Sequence, residues 1–349
     1  MTDVTVLILH PEPAPRAGEL ERWVAAARAE LAERHRVGFL AAGATDVKVW
    51  AGQSDGMPFG ERLRSFVASR RPGGLVVLGS GAIPLATSAD RRAFVAAAGS
   101  RDGRLALVNN RYSADVLAIA AAANLADLPD MTSDNALPRW LAETVGYEVT
   151  DLRLRWRLGV DIDGPGDLVL IGPRPWLPEP PAGAVDRVAD RLAALRAVAR
   201  DPRAELVVAG RTSAAGLAWL EQHSAARTRA LVEERGMRTA IGGQRPPRSV
   251  LGALVERDGP AAFGGILSEL GEAALVDSRV LLAHRVGADE AGWPAAEDRF
   301  ASDLLLHEQI ADPWLRDLTR SAAEAPIPVV LGGHTLVGPG LRLTIGRPG

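Results

Sequence analysis

Cysteine does not occur in the 349 residues, which excludes disulfides, thiolate metal sites and cysteine nucleophiles and fits a reducing cytoplasm. Long hydrophobic runs are missing as well. No apolar stretch approaches the ~20 residues that span a bilayer, so no membrane partner is expected. Nor is there an excess of one charge: the formal net charge is −3, which gives no general reason to expect nucleic acid. Lysine is nearly absent, because Lys48 is the single lysine among 40 basic residues. Phosphate recognition would therefore rest on Arg, on backbone N–H groups or on Lys48 itself.

The sequence is 47% hydrophobic and 24% charged, enough for a sizeable core, and its length suggests two domains. The first ten residues lack the basic start and small-residue cleavage site of a signal peptide and read as a β-strand. Periodicity predicts strands over 4–9, 46–50, 74–78, 104–108 and 157–161. Helices are expected over 18–34, 60–69, 88–98 and 135–145, with Thr87 or Ser88 as an N-cap. Residues 114–125 read as a helix, or as a strand passing into one. Such alternation predicts an α/β fold whose N-terminal, Rossmann-like sheet is mostly parallel and covered by helices on both faces.

Five prolines within 172–183 forbid a regular helix or central strand. The expected organisation is a domain over 1–172, a Pro-rich linker over 173–183 and a second α/β lobe, richer in helix, over 184–349. That lobe should hold helices over 185–200, 213–235, 249–257 and 262–270, strands over 205–209, 274–283 and 327–331, and a helical stretch over 298–323. Arg227, Arg229, Arg235 and Arg238, mixed with Glu233 and Glu234, read as a solvated helix face.

Two stretches of the first half carry the most chemistry. Residues 75–87, Leu-Val-Val-Leu-Gly-Ser-Gly-Ala-Ile-Pro-Leu-Ala-Thr, end a strand in a small-residue turn. Residues 158–169, Leu-Gly-Val-Asp-Ile-Asp-Gly-Pro-Gly-Asp-Leu-Val, place Asp161 and Asp163 at i, i+2, so that both carboxylates can face one side of a strand end. Alternatively, Asp163-Gly-Pro-Gly is a polar turn and Asp167 a helix cap. Asn109, Asn110 and Arg111 follow another strand. Beyond the carboxyl ends of parallel strands, where ligands of such sheets bind, they would share a rim with Ser80 and Asp161.

Together the two stretches resemble landmarks of the nucleotidyltransferases that include molybdopterin guanylyltransferases and phospholactate guanylyltransferases. That family has a Gly-Asp-x-Pro-Leu-like turn, then an Asp-x-Asp-Thr-Pro-Glu-Asp-Leu-like segment. The resemblance covers residues 1–172. It implies a fold of the nucleotide-diphospho-sugar transferase type, with Mg²⁺ or Mn²⁺ held by Asp161 and Asp163. An NTP and a small phosphorylated metabolite would be the partners. Two departures stand out. Gly79-Ser80-Gly81-Ala82 replaces the family's first carboxylate. Pro11, Pro13 and Pro15 remove N–H donors from the loop expected to cradle phosphate, leaving Arg16 as its contact.

In the second half, Arg211, Thr212 and Ser213 follow a strand and open a helix, which suits a phosphate or carboxylate as well as a simple cap. Asp277, His284, Asp303 and His334 form a second candidate group, with pairing of Asp277 to Arg279 or Arg299 as the structural alternative. No zinc-type His spacing and no Gly-x-Ser-x-Gly elbow occurs. Three readings stay open: a nucleotidyltransferase, a binding or regulatory protein on the same scaffold, and a small-molecule enzyme with its site in the C-terminal lobe. A homodimer is compatible with each.

Overall fold

The computed structural model describes residues 3–53, 56–131, 134–237 and 245–346, so Arg238 lies outside the described residues. The chain forms two compact units. One comprises Met1–Arg16 and Ala25–Asp161, the other Ala17–Val24 and Ile162–Gly349. The division thus falls after Asp161, and the Pro-rich segment 173–183 belongs to the second unit. No described helix is long and apolar enough to cross a membrane.

The first unit is built on β1 (Val4–Pro11), β2 (Asp46–Gly52), β3 (Gly74–Gly79), β4 (Leu105–Val108), β5 (Val116–Ile119) and β6 (Glu148–Asp151). Their order is β2-β1-β3-β5-β4-β6, and all run parallel except β5, which is antiparallel to β3 and β4. The helices are α1 (Glu19–Ala41, whose first residues count with the second unit), α2 (Phe59–Arg70), α3 (Ser88–Ala98) and the short α4 (Leu137–Trp140). Period-2 alternation divides the core. Val4, Val6, Ile8, Val76 and Leu78 pack with Phe39 of α1 and Phe94 of α3. Leu7, Leu75 and Val77 face the other way, against Leu63 and Phe66 of α2 and Leu137 of α4. Both faces are therefore covered, as a mostly parallel sheet requires. Each fully buried Phe contributes roughly 1.5–3 kcal/mol through burial.

The second unit holds α5 (Pro165–Ile171), α6 (Asp186–Val198), β7 (Glu205–Gly210), α7 (Ala214–His223), β8 (Arg227–Val232), α8 (Val250–Asp258), α9 (Phe263–Leu270) and β9 (Ala273–Asp277). After these come α10 (Ser278–Val286), α11 (Ala296–Asp303), α12 (Pro313–Ala323), β10 (Val329–Gly332), α13 (His334–Val337) and α14 (Leu341–Ile345). The strand order is β10-β9-β7-β8, all parallel. Val207, Ala209, Val276 and Leu331 pack against Leu251, Phe263, Leu267 and Leu318 on one face, while α6 contacts β9 and β10. The fold is α/β in both units, and the second is the richer in helix.

Three local expectations are corrected. The helix expected over 213–235 is α7 followed by edge strand β8. The Ala- and Arg-rich segment has helical propensity, but pairing with β7 satisfies its backbone as a strand. The strand expected over 274–283 stops at Asp277, whose carboxylate accepts from the Arg279 N–H and opens α10. Buried aliphatic runs of either kind look alike by periodicity. Residues 157–161 are not a strand but a 3₁₀ turn, Trp156–Gly159, after which Asp161 makes an isolated bridge to Ala82. The segment 114–125 takes the second of its two expected forms, the antiparallel strand β5 passing into a 3₁₀ turn over Ala122–Leu125.

Candidate functional site

In the first unit the chain leaves β1 toward β2 on one side and returns to β3 on the other, so the strand order reverses between β1 and β3. A crevice is expected beyond the carboxyl ends of such a pair. A cavity of about 140 Å³ lies there, lined by Leu9 and Pro11 at the end of β1, by Gly79–Ala82 at and after the end of β3, and by Arg28, Asp115, Asp134 and Asp161. Two residues drawn from separate sequence landmarks, Ser80 and Asp161, thus line one cavity.

The turn after β3 is held rigidly. The buried Ser80 donates its backbone N–H to the Leu9 carbonyl at 2.8 Å, and its hydroxyl shares a hydrogen bond of 3.0 Å with His10 Nδ1. Burial lowers the His10 pKa and the nearby Arg28 charge lowers it further, against a smaller opposing effect of Glu12, so the ring favours its neutral form. Ile83 is fully buried at φ 47°, a left-handed conformation that a β-branched residue adopts only when its surroundings over-determine it. Part of that constraint is His35. Its Nε2–H donates to the Ala82 carbonyl at 2.8 Å, and complete burial drives its pKa down to about 3, so the ring is neutral.

Asn109 is a positioning residue. Its amide donates to Asp115 Oδ2 at 2.7 Å and to the Leu158 carbonyl at 2.9 Å, while its Oδ1 accepts from the Asp115 N–H. It orients the Asp115 that lines the cavity. Asn110 accepts from the Tyr112 N–H at 3.0 Å in a local turn, and Arg111 is half-buried beside it. Arg16 is exposed in the loop after β1 and is not among the residues lining the cavity.

Asp163 is counted with the second unit. Its N–H and that of Gly164 both donate to Asp167 Oδ2 at 2.8 Å, forming the entry to α5. Burial pushes the Asp167 carboxyl well above the usual carboxylate range. The charges of Asp163 and Asp303 add to this, and the two N–H bonds only partly offset it.

The second unit has its own reversal of strand order, between β7 and β9, and there the polar side chains have internal partners. Arg211 forks onto the buried Asp277, with Nε 2.6 Å from Oδ2 and Nη2 3.1 Å from Oδ1. Thr212 donates to the Val337 carbonyl, and Ser213 caps α7 by accepting from the Gly216 N–H at 3.0 Å. Arg279 makes a two-pronged pair with Asp303, with one contact at 2.7 Å and the other through Nη1, and its Nη1 also donates to Ser278 at 3.0 Å. Asp277 therefore pairs with Arg211, neither with Arg279 nor with Arg299. Burial raises the Asp277 pKa, but the charges of Arg211, His334 and Arg279 with the Arg211 hydrogen bond together outweigh it and hold the carboxyl below its ordinary value. His284 stands apart, accepting from the Ser249 N–H at 3.1 Å with its other nitrogen 3.2 Å from Glu256. Of the expected C-terminal group, Asp277 acts on both His334 and Asp303, whereas His284 has other partners.

Sequence reasoning missed His10, Arg28, Asp115 and Asp134. Only His10 carried a usable signal, as a polar side chain at the end of the first strand. Among the described residues no group of three or more His, Asp or Glu side chains is placed to hold a metal ion.

No family model and no curated protein matches the chain. Among solved structures it is similar to the crystal structure of Rv0371c from Mycobacterium tuberculosis H37Rv, at 19% identity over 43% of this chain and 87% of that one, with a TM-score of 0.27. A likeness of that size carries no argument about function.

Proposed function

We propose that the first unit binds an NTP with Mg²⁺ or Mn²⁺ and passes its nucleotidyl group to a phosphorylated small molecule. The observation that supports this reading is the cavity beyond β1 and β3, lined by Ser80 and Asp161 together with Asp115, Asp134 and Arg28. At about 140 Å³ it is smaller than the ~300 Å³ of a typical small-molecule site, so it would take the phosphate end of a nucleotide only.

The donor set fits the metal. Carboxylate oxygens are the hard ligands Mg²⁺ takes, and the ion commonly uses one or two of them, completing its shell with water and substrate phosphate. Asp161 would hold it, and the bound ion would neutralise triphosphate charge that three carboxylates otherwise repel. Arg28 would meet a phosphate oxygen. The Ser80 hydroxyl, fixed by His10, would orient the donor. In the transfer, an acceptor phosphate oxygen bonds to the α-phosphorus while the bond to the bridging oxygen breaks and pyrophosphate leaves.

Titration calorimetry with ATP, GTP, CTP and UTP, with and without Mg²⁺, tests the binding step. A ligand present at about 100 times its Kd should stabilise the fold by ~2.7 kcal/mol. Asp161→Asn should abolish the metal-dependent part. Failure of every NTP to bind would sink the reading. A second reading, a binding or regulatory protein, is favoured by the Ser80–His10 pair standing where the related family has a carboxylate. Metal-dependent NTP binding without pyrophosphate release, across a panel of phosphate monoesters, would select it.

A further inference from the structure

A second cavity of the first unit, about 510 Å³, lies at the β2 edge of the sheet on the face covered by α2. Its size falls within the ~300–1,000 Å³ of small-molecule sites. Strand alternation turns Lys48 and Trp50 to this face, and helical spacing turns Ser65, Phe66, Ser69 and Arg70 toward them. Trp50 and Phe66, with ring centroids 6.4 Å apart, form an apolar wall, and the Arg62 guanidinium 5.0 Å from the Trp50 ring holds the indole in place.

The charge of this lining is one-sided. Among the described residues that line it, Lys48 and Arg70 are cations and none is acidic, in a chain whose net charge is −3. The single lysine of the sequence is one of the two. Lys48 lies 3.2 Å from Asp46, but the side chains are 40% and 44% exposed, and such solvent-facing pairs contribute only ~0–1 kcal/mol. The ammonium can therefore turn to another anion, as a compact charge with three donors. Ser69 already donates to the Phe66 carbonyl at 2.9 Å, which leaves Ser65 as the hydroxyl donor.

We propose that this cavity binds a small aromatic anion, its carboxylate or phosphate met by Lys48, Arg70 and Ser65 and its flat body against Trp50 and Phe66. The site is independent of the one beyond β1 and β3. Titration calorimetry on the full chain with 1-naphthoate, 1-naphthyl phosphate and the neutral 1-naphthalenemethanol tests it. Saturable one-to-one binding of at least one anion is expected, about tenfold or more tighter than the alcohol, as ~1.4 kcal/mol of charge pairing gives. The two anions tell a carboxylate preference from a phosphate preference. Lys48→Met should weaken the anion by a similar factor and leave the alcohol unchanged, Lys48→Arg should restore most of it, and Arg203→Met, which removes an exposed cation that does not line this cavity, should change nothing. Trp50→Phe should weaken all three ligands. Lys48 is half-exposed, so the methionine variant should keep its fold, as circular dichroism would verify. Equal affinity for the alcohol, wild-type anion affinity in Lys48→Met, or no saturable binding of any probe would overturn the proposal.

Discussion

The two units solve the same topological problem in opposite ways. Each reverses its strand order at one point, between β1 and β3 in the first and between β7 and β9 in the second. In the first unit that point holds a cavity with carboxylates, an arginine and a strained turn around it. In the second it holds the ion pair Arg211–Asp277, with Arg279–Asp303 beside it, all four side chains buried. A parallel sheet makes a crevice available at such a point; the side chains decide whether it stays open. Side chains committed to a buried ion pair have little left to offer a ligand and serve to hold the fold.

The comparison breaks most directly at Asp277. Replacing it by alanine leaves Arg211 buried and unpaired, which should destabilise the second unit by about 3–5 kcal/mol in chemical denaturation. Asp161→Asn, at the open cavity of the first unit, should shift stability by under ~1 kcal/mol. If the two variants are equally destabilised, the contrast between a closed and an open strand end is wrong.

A second effect should separate the units by pH. Burial holds His35 down to about 3, below its ordinary value near 6.5, so the unfolded chain binds the proton more readily. Stability of the first unit should therefore fall as pH drops from about 6.5 toward 3, by up to about 1.4 kcal/mol per pH unit. His35→Gln should flatten that slope. Asp167 behaves oppositely: its folded pKa is raised, so its contribution is complete at acid pH and is lost as pH climbs above the ordinary carboxylate range. Asp167→Asn keeps an oxygen for the N–H groups of Asp163 and Gly164, and should gain stability over wild type at neutral pH but not at pH 3. Hydrogen exchange resolved by unit would read both slopes in one chain.

The smallest effects should be alike in the two units, which sharpens the larger contrasts. Thr87 caps α3 in a reciprocal box with Asp90, and Ser213 caps α7. Alanine at either position should cost about 1 kcal/mol. A much larger loss at Thr87 would point to Asp90, whose carboxylate also receives Arg155 and Arg157 at 2.8–3.0 Å.

Much of the architecture was legible in the residues. The aliphatic runs around Val4–Pro11 and Gly74–Gly79, the Thr87 cap and the βα alternation specify an α/β fold, because a continuous apolar run marks a strand buried on both faces. Ser80 could be picked out as a strand-end residue, and Asp161 by its i, i+2 spacing to Asp163. Arg28, Asp115 and Asp134 could not, since nothing local distinguishes them from ordinary surface charges; only the packing of α1 and the loops around β5 makes them line the cavity. The same limit explains β8 and α10. Ala- and Arg-rich or aliphatic segments satisfy either periodicity, and their state was decided by whether a neighbouring strand offered its edge. The sequence by itself determined the fold class and the course of β1 and β3. The tertiary structure alone decided which charges met, Arg211 with Asp277 and Arg279 with Asp303, because the cost of burying an ion depends on the partner's position in space and not on its distance along the chain.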